Sequence, residues 1–333
     1  MKAVVMTESG APEVLEVRQI PDPEIQKPTE ILVRLKAAGV NPVDAKLRRR
    51  GTFYPERMPA VLGCDAAGIV EAVGSGVSNF KVGDEVYFCN SGIGAYPGNY
   101  AELAVVDEKF VAKKPTSLSF AEAAASPLVL ITAWESLYDR GQLQPGQKVL
   151  IHGGAGGVGH VAIQLAKLQN TLVATTISSE EKAEFAKSLW ADLTIFKNAD
   201  VAEEILNWTD GEGVDLAFDT VGGKVFYDSI PVVKYYGDLV TILEPDPSLG
   251  NLKVARQRNL RIGLELMLTP MMQGMEESQH DQANILRQCA RLFDEGKLKI
   301  HLNKTFALDD VIEAHRMLEA GSMVGKIALI IDG

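Results

Sequence analysis

The clearest chemical signal in the chain is the run Gly153-Gly154-Ala155-Gly156-Gly157-Val158-Gly159, which follows the apolar stretch Val149-Leu150-Ile151. Gly154, Gly156 and Gly159 form G-x-G-x-x-G between a strand pattern and a helix pattern, as a dinucleotide site requires. Gly154 would permit the tight turn, Gly156 would let a pyrophosphate approach the backbone, and Gly159 would let helix and strand pack closely. The phosphates would meet free amides at the positive end of the helix, which includes Gly157 and Val158. The alternative is a glycine-rich turn packed for structural reasons alone. The next strand bears on which dinucleotide binds. An acid near its tip normally takes the adenine ribose hydroxyls of NAD. Here the run Thr175-Thr176-Ile177-Ser178-Ser179 ends without a carboxylate. Ser178, Ser179 and Lys182 suit a 2′-phosphate through charge-assisted hydrogen bonds, so NADPH is expected. Glu180 and Glu181 argue the other way, although first-turn acids also complement a helix dipole.

These groups need a scaffold, and the chain reads as two kinds of it. Residues 1 to about 120 hold short β-like runs, such as Glu30 to Lys36, Gly68 to Val73 and Asp84 to Phe88, separated by Pro and Gly turns. That pattern suggests a small irregular barrel. From Ser119 onward strand and helix alternate. Strand patterns fall at Gln147–Ile151, Leu172–Ile177, Leu193–Phe196, Val214–Phe218, Asp238–Leu243 and Leu260–Leu268. Helices are expected over Val158–Lys167, Ser179–Leu189, Val201–Trp208 and Lys224–Lys234. This rhythm predicts a doubly wound parallel sheet. The tail reads as the helix Gln282–Glu295, a short strand, the helix Leu308–Ala320 and a closing strand Lys326–Ile331, so it is expected to rejoin the first domain.

Composition narrows the class. A length of 333 residues, 46% hydrophobic and 23% charged, predicts about two soluble domains. The net charge of −11 opposes nucleic-acid or anionic-membrane binding, and the only dense basic run is Lys46 to Arg50. Cys64, Cys89 and Cys289 make neither a disulfide framework nor a CxxC pair, which suggests a reducing compartment. Met1 to Val5 leads into a strand pattern rather than a secretory signal, so a cytoplasmic location is expected. No apolar run is long enough to span a bilayer.

Several motifs in order resemble one family: Val40-Asn41-Pro42-Val43-Asp44, Gly63-Cys64-Asp65-Ala66-Ala67-Gly68, Val82-Gly83-Asp84-Glu85-Val86, the glycine turn, Asp219-Thr220-Val221-Gly222-Gly223 and Gly325-Lys326-Ile327. Together they are similar to the medium-chain dehydrogenase/reductase superfamily, and within it to the zinc-free quinone oxidoreductase (zeta-crystallin-like) branch. The resemblance implies an α/β protein with a GroES-like irregular β-barrel catalytic domain, residues 1–123 and 268–333, and an inserted Rossmann domain, residues 124–267. It also implies a homodimer through the sixth Rossmann strand, where Leu260, Ile262, Leu264, Leu266 and Leu268 alternate and one face is expected to be buried. Beyond the glycine turn and the phosphate-side residues, it adds Thr132, Leu243 and Lys326 to the NADPH-binding set. It places Asn41 near the nicotinamide ribose, where the amide could orient cofactor or substrate oxygen. The family often has a Tyr shortly after this segment; here Phe53 stands at that place and Tyr54 follows. Tyr54 is the candidate hydroxyl donor, with an exposed loop tyrosine as the alternative. Trp190 stands where the family usually has Gly.

Zinc-dependent relatives have a Cys at the position of Asn41, Gly-His-Glu at Gly63-Cys64-Asp65, and a further Cys near Leu128. Asn41 and Leu128 are poor zinc ligands, so no metal is expected. The five histidines show no metal spacing. Without a Lewis acid, the suited acceptors are already electrophilic: quinones, or enones and 2-alkenals that take hydride at the β-carbon. The expected function is NADPH-dependent, zinc-independent reduction of such acceptors. The alternatives are 2-alkenal/enone reduction as the main activity, or an NADPH-binding sensor with little turnover.

Overall fold

The structure is a computed structural model that describes residues 1–331. The chain divides into two compact units. Unit 1 comprises Met1–Leu128, Leu268–Gly296 and the chain from Ile300 onward; unit 2 comprises Val129–Met267 with Lys297–Lys299. Lys299 joins unit 2 because its backbone N–H and C=O both bond the side chain of Gln164.

Unit 1 begins with β1 (Lys2–Met6), β2 (Leu15–Gln19), β3 (Glu30–Val40), α1 (Pro42–Arg50), β4 (Ala60–Val61), β5 (Asp65–Val73), β6 (Glu85–Cys89), β7 (Leu103–Asp107), β8 (Ala112–Lys113) and α2 (Phe120–Ala124). The unit boundary falls inside α3 (Pro127–Trp134). Along β3, Ile31, Val33, Leu35 and Ala37 are buried while the residues between them are half-buried, the period of two that a sheet dictates.

Unit 2 continues with β9 (Lys148–Ile151), α4 (Gly157–Leu168), β10 (Leu172–Ile177), α5 (Glu180–Ser188), β11 (Leu193–Phe196), α6 (Val201–Trp208), β12 (Val214–Asp219), α7 (Lys224–Ser229), β13 (Val233–Thr241), α8 (Lys253–Gln257) and β14 (Arg261–Leu264). Its six strands are parallel in the order β11-β10-β9-β12-β13-β14. That is the doubly wound arrangement whose ligands bind at the carboxyl ends of the strands, where the order reverses. The glycine turn sits at that place, directly after β9 and between β10 and β12. Leu150, Ala174, Ile205, Ala217, Phe226 and Leu239 are among the buried residues that fill one face.

Unit 1 resumes with α9 (Thr269–Gln273), α10 (Glu276–Asp294), β15 (Leu302–Ala307), α11 (Val311–Ala320) and β16 (Lys326–Ile330). β16 pairs with β3, so both ends of the chain share one seven-stranded sheet, β15-β16-β3-β5-β6-β8, with β7 also on β3. A second sheet has the order β2-β1-β4.

Two elements differ from the sequence reading. The helix expected over Lys224–Lys234 stops at Ser229, because Pro231 cannot donate to a continuing helix; Val233 already begins β13. The strand expected over Leu260–Leu268 is only β14, and Leu264 and Leu266 are 62% and 51% exposed. The expected buried face is covered only in part: Leu260 and Ile262 pack against the core of the sheet and Leu268 is buried, while β14 is the edge strand of its sheet. No helix among the described residues is long and apolar enough to cross a membrane.

Candidate functional site

In unit 2 the division of labour among the glycines departs from expectation. The positive φ of the turn, 71°, belongs to Gly153 and not to Gly154. Gly154 is needed for packing, since a Cβ there would collide with Thr175 Oγ1 on β10. Gly159 is needed because its Cβ would strike the Gly153 carbonyl. Gly156 is different. An added Cβ would meet only the Gly153 carbonyl oxygen, at 3.2 Å, and no side chain caps the start of α4. Gly156, Gly157 and Val158 are half-exposed, which leaves the first amides of the helix open to an anion.

The turn is held from behind by hydrogen bonds the sequence did not announce. Thr176 Oγ1 accepts from Gly153 N–H at 3.1 Å, and Thr220 Oγ1 donates to the His152 carbonyl at 2.6 Å. His152 lies between Thr176 (Nδ1, 3.2 Å) and Ser229 (Nε2, 2.9 Å). Ser229 Oγ already donates to the Val225 carbonyl, which makes it the acceptor of an Nε2–H. Burial pushes the His152 pKa down to about 4, so a neutral ring serves as a tie. Asp219, fully buried, accepts from Val221 and Gly222 N–H and shapes the loop after β12.

Ser178, Ser179 and Lys182 come together at the end of β10 and the start of α5. Ser178 is exposed; Ser179 Oγ caps the helix by accepting from Lys182 N–H at 3.3 Å. The Lys182 ammonium, half-buried, has no ion pair among the described residues. Leu243 packs beside Gly222, and Thr132 is buried in α3.

In unit 1 three strand ends converge. Asn41 follows β3 and caps α1, with Pro42 at the first helical position, and the Asn41 N–H donates to Asp44 Oδ2 at 2.8 Å. The antiparallel register pairs Val40 with Ile327, which sets Lys326 beside Asn41. Asp65 begins β5, opposite Cys89. The Asn41 Nδ2 donates to Asp65 Oδ2 at 2.9 Å, while its Oδ1 accepts from the Lys326 ammonium, which also donates to the Val40 carbonyl at 3.2 Å. Asp65 Oδ1 accepts from Leu128 N–H, and Asp44 Oδ2 accepts from the Tyr100 hydroxyl at 3.0 Å. All these side chains are buried.

Burial dominates the electrostatics. It raises Asp44 to about 7, against hydrogen bonds from Asn41 and Tyr100 that pull the other way. It raises Asp65 to about 6, with Lys326 opposing. It lowers the ammonium of Lys326, opposed by Asp65 and Asp44. The thiols of Cys64 and Cys89 are pushed well up, away from the reactive thiolate.

Asn41 and Lys326 are thus bonded to each other within unit 1. Lys326, placed by the resemblance in the NADPH-binding set, is 3% exposed, and its ammonium bonds the Asn41 amide oxygen and the Val40 carbonyl. Tyr54 stands apart. Its hydroxyl donates to the Met272 carbonyl at 3.1 Å, so its one proton is committed, and its ring lies under the Arg57 guanidinium. The Asp44–Tyr100 link was not foreseen; the acid three residues after an N-cap was its only trace in the sequence.

Two family descriptions match the chain: an alcohol dehydrogenase GroES-like domain over residues 27–116 and a zinc-binding dehydrogenase over residues 190–329. A quinone oxidoreductase of Pseudomonas aeruginosa is 33% identical over 332 residues, covering 99% of each chain. The chain belongs to the medium-chain dehydrogenase/reductase superfamily, in its quinone oxidoreductase branch. It is therefore an oxidoreductase built from a GroES-like domain and a Rossmann-like parallel sheet. A 2-methylene-furan-3-one reductase of Solanum lycopersicum is 35% identical, over 99% of this chain and 79% of that one. The quinone oxidoreductase of Escherichia coli, solved in complex with NADPH, superposes with a TM-score of 0.84 at 29% identity, covering 99% of this chain and 100% of that one.

One of the family descriptions carries zinc in its name, and the residues here do not fit that ion. At the expected ligand positions, the Asn41 oxygen faces an ammonium, the Cys64 thiol resists ionisation, and Leu128 offers only a backbone N–H to Asp65. A zinc site asks for deprotonated sulfur, neutral imidazole or free carboxylate around one point. Among the described residues no three His, Cys, Asp or Glu side chains are so grouped.

Proposed function

We propose that the chain is an NADPH-dependent, zinc-independent reductase of quinones and related α,β-unsaturated carbonyls. The observation that carries this reading is the uncapped start of α4 at Gly156, beside a strand, β10, that is followed by Ser178 and Ser179 and by Lys182 in the first turn of α5. The open amides of Gly157 and Val158 suit a pyrophosphate. Ser178 and the unpaired Lys182 suit a 2′-phosphate, and no carboxylate at the tip of β10 competes for it. Bound there, NADPH would supply reducing equivalents to the electrophilic acceptor, and with a proton from solvent the product would be a hydroquinone or a saturated carbonyl. By the resemblance, Asn41, held by Lys326 and Asp65, is the residue that would orient the cofactor or a substrate oxygen. Tyr54 serves as hydroxyl donor only if it leaves Met272. The likeness to the tomato enone reductase supports enones as acceptors beside quinones.

A homodimer through β14 accompanies this reading, supported by the exposed Leu264 at the end of that edge strand and Leu266 just past it. The free thiols of Cys64, Cys89 and Cys289 suit the reducing cytoplasm. No nucleic-acid or membrane partner is proposed for so acidic a chain.

The test is NADPH oxidation, followed at the nicotinamide absorbance, with benzoquinone, a 2-alkenal and a simple aldehyde, each with and without a chelator. Turnover of the first two acceptors and not of the aldehyde, unaffected by chelation, is expected. Loss of activity on chelation refutes zinc independence, and tight NADPH binding without turnover makes the protein a sensor.

A further inference from the structure

We infer that Lys326 is a built-in cation seated where zinc-dependent relatives hold their metal, and that its ammonium bars a divalent ion from unit 1. The register makes the seat. Because Val40 pairs with Ile327, the first residue of β16 lies against the residue after β3, which is Asn41. Asn41 stands at the family's first ligand position, and its carbonyl oxygen is already bonded to Lys326 Nζ. The ammonium is buried and reaches a second oxygen, the Val40 carbonyl, at 3.2 Å. Asp65, at another ligand position, is tied to the same centre through Asn41 Nδ2. One positive charge therefore meets an amide oxygen, a main-chain oxygen and, across the carboxamide, a carboxylate. This is the work a metal does in an electropositive site, done by a side chain that cannot dissociate. A divalent ion approaching Asn41 Oδ1 would sit one hydrogen-bond length from an ammonium in a medium of low dielectric, where like charges repel strongly. Restoring metal ligands alone would then fail while the lysine remains.

This inference underlies the metal-free part of the proposed function, and its test needs neither NADPH nor an acceptor, so the two can fail separately. The full chain is prepared in four forms: unaltered; Asn41→Cys with Cys64→His (the double variant); the same pair with Lys326→Met (the triple variant); and the same pair with Lys326→Arg. All four are loaded with Co²⁺ and desalted, and the thiolate-to-cobalt absorption and retained metal are measured. The triple variant is expected to retain at least about ten-fold more cobalt than the double, with a tetrahedral spectrum. The unaltered chain is expected to retain almost none. Equal retention by double and triple variants overturns the inference, as does stoichiometric cobalt on the unaltered chain. The Lys326→Arg form supplies a second readout: it keeps the positive charge and is expected to retain as little cobalt as the double variant. Retention equal to that of the triple variant overturns the cation's role.

Discussion

A carboxamide between an ammonium and a carboxylate can point only one way, with its oxygen toward the cation and its nitrogen toward the anion. Asn41 is fixed in this manner, and the groups behind it bear charges that burial opposes. Asp44 makes that measurable. Its folded pKa, about 7, lies above the ordinary 3.8, so the folded state holds a proton that the unfolded chain releases. Asp44 thus stabilises the fold most at low pH, and this contribution is lost as pH rises from about 4 through about 7. Relative to Asp44→Asn, the unaltered protein should lose up to about 1 kcal/mol of stability per pH unit in that window, measured by urea unfolding. A pH-independent difference would contradict it. At the cofactor end, Lys182→Ala should weaken NADPH about ten-fold or more while leaving NADH binding nearly unchanged, as read by fluorescence titration. Equal losses for both nucleotides would remove the 2′-phosphate assignment.

At the scale of elements, chain breaks explain more than propensities do. α5 ends in a two-bond motif, Trp190 N–H to the Lys187 carbonyl and Ala191 N–H to the Ala186 carbonyl, with Trp190 at φ 69°. That left-handed position favours glycine, and the indole, 50% exposed, recovers little by burial. Trp190→Gly should therefore stabilise the protein by about 1 kcal/mol, visible as a higher Tm. The glycine turn separates two kinds of constraint. Gly154→Ala and Gly159→Ala drive a methyl into β10 or the turn's own carbonyl and should cost about 1–3 kcal/mol of stability. Gly156→Ala meets only an adaptable 3.2 Å contact, so it should fold nearly normally yet bind NADPH much more weakly. Stability and nucleotide affinity falling together in all three variants would erase that distinction.

At the scale of the whole molecule, the net charge of −11 must accommodate a polyanionic ligand, which makes helix-end amides and single cations locally decisive. The same scale bears on the exposed Leu264 at the end of β14 and Leu266 just past it. An unpaired strand edge with apolar side chains is a template for another strand, so Leu264→Lys with Leu266→Glu should convert a dimer to a monomer in sedimentation equilibrium. A monomeric unaltered protein would refute the dimer. Much of this architecture is legible in the sequence, because strand–helix alternation and the glycine spacing act locally: β10, β11 and α6 fall where their periodicity puts them. The glycine turn is equally local, and the sequence alone locates it. What the residues cannot announce depends on register. Which glycine takes the positive φ is decided by how β10 packs against the turn. Lys326, 285 residues from Asn41, becomes its partner only because β16 lies antiparallel to β3 with Val40 facing Ile327. The resemblance puts this lysine of the closing strand in the NADPH-binding set, but no local pattern announces its neighbours; tertiary pairing encloses it among Asp44, Asp65 and Asn41, and burial turns its charge into structure.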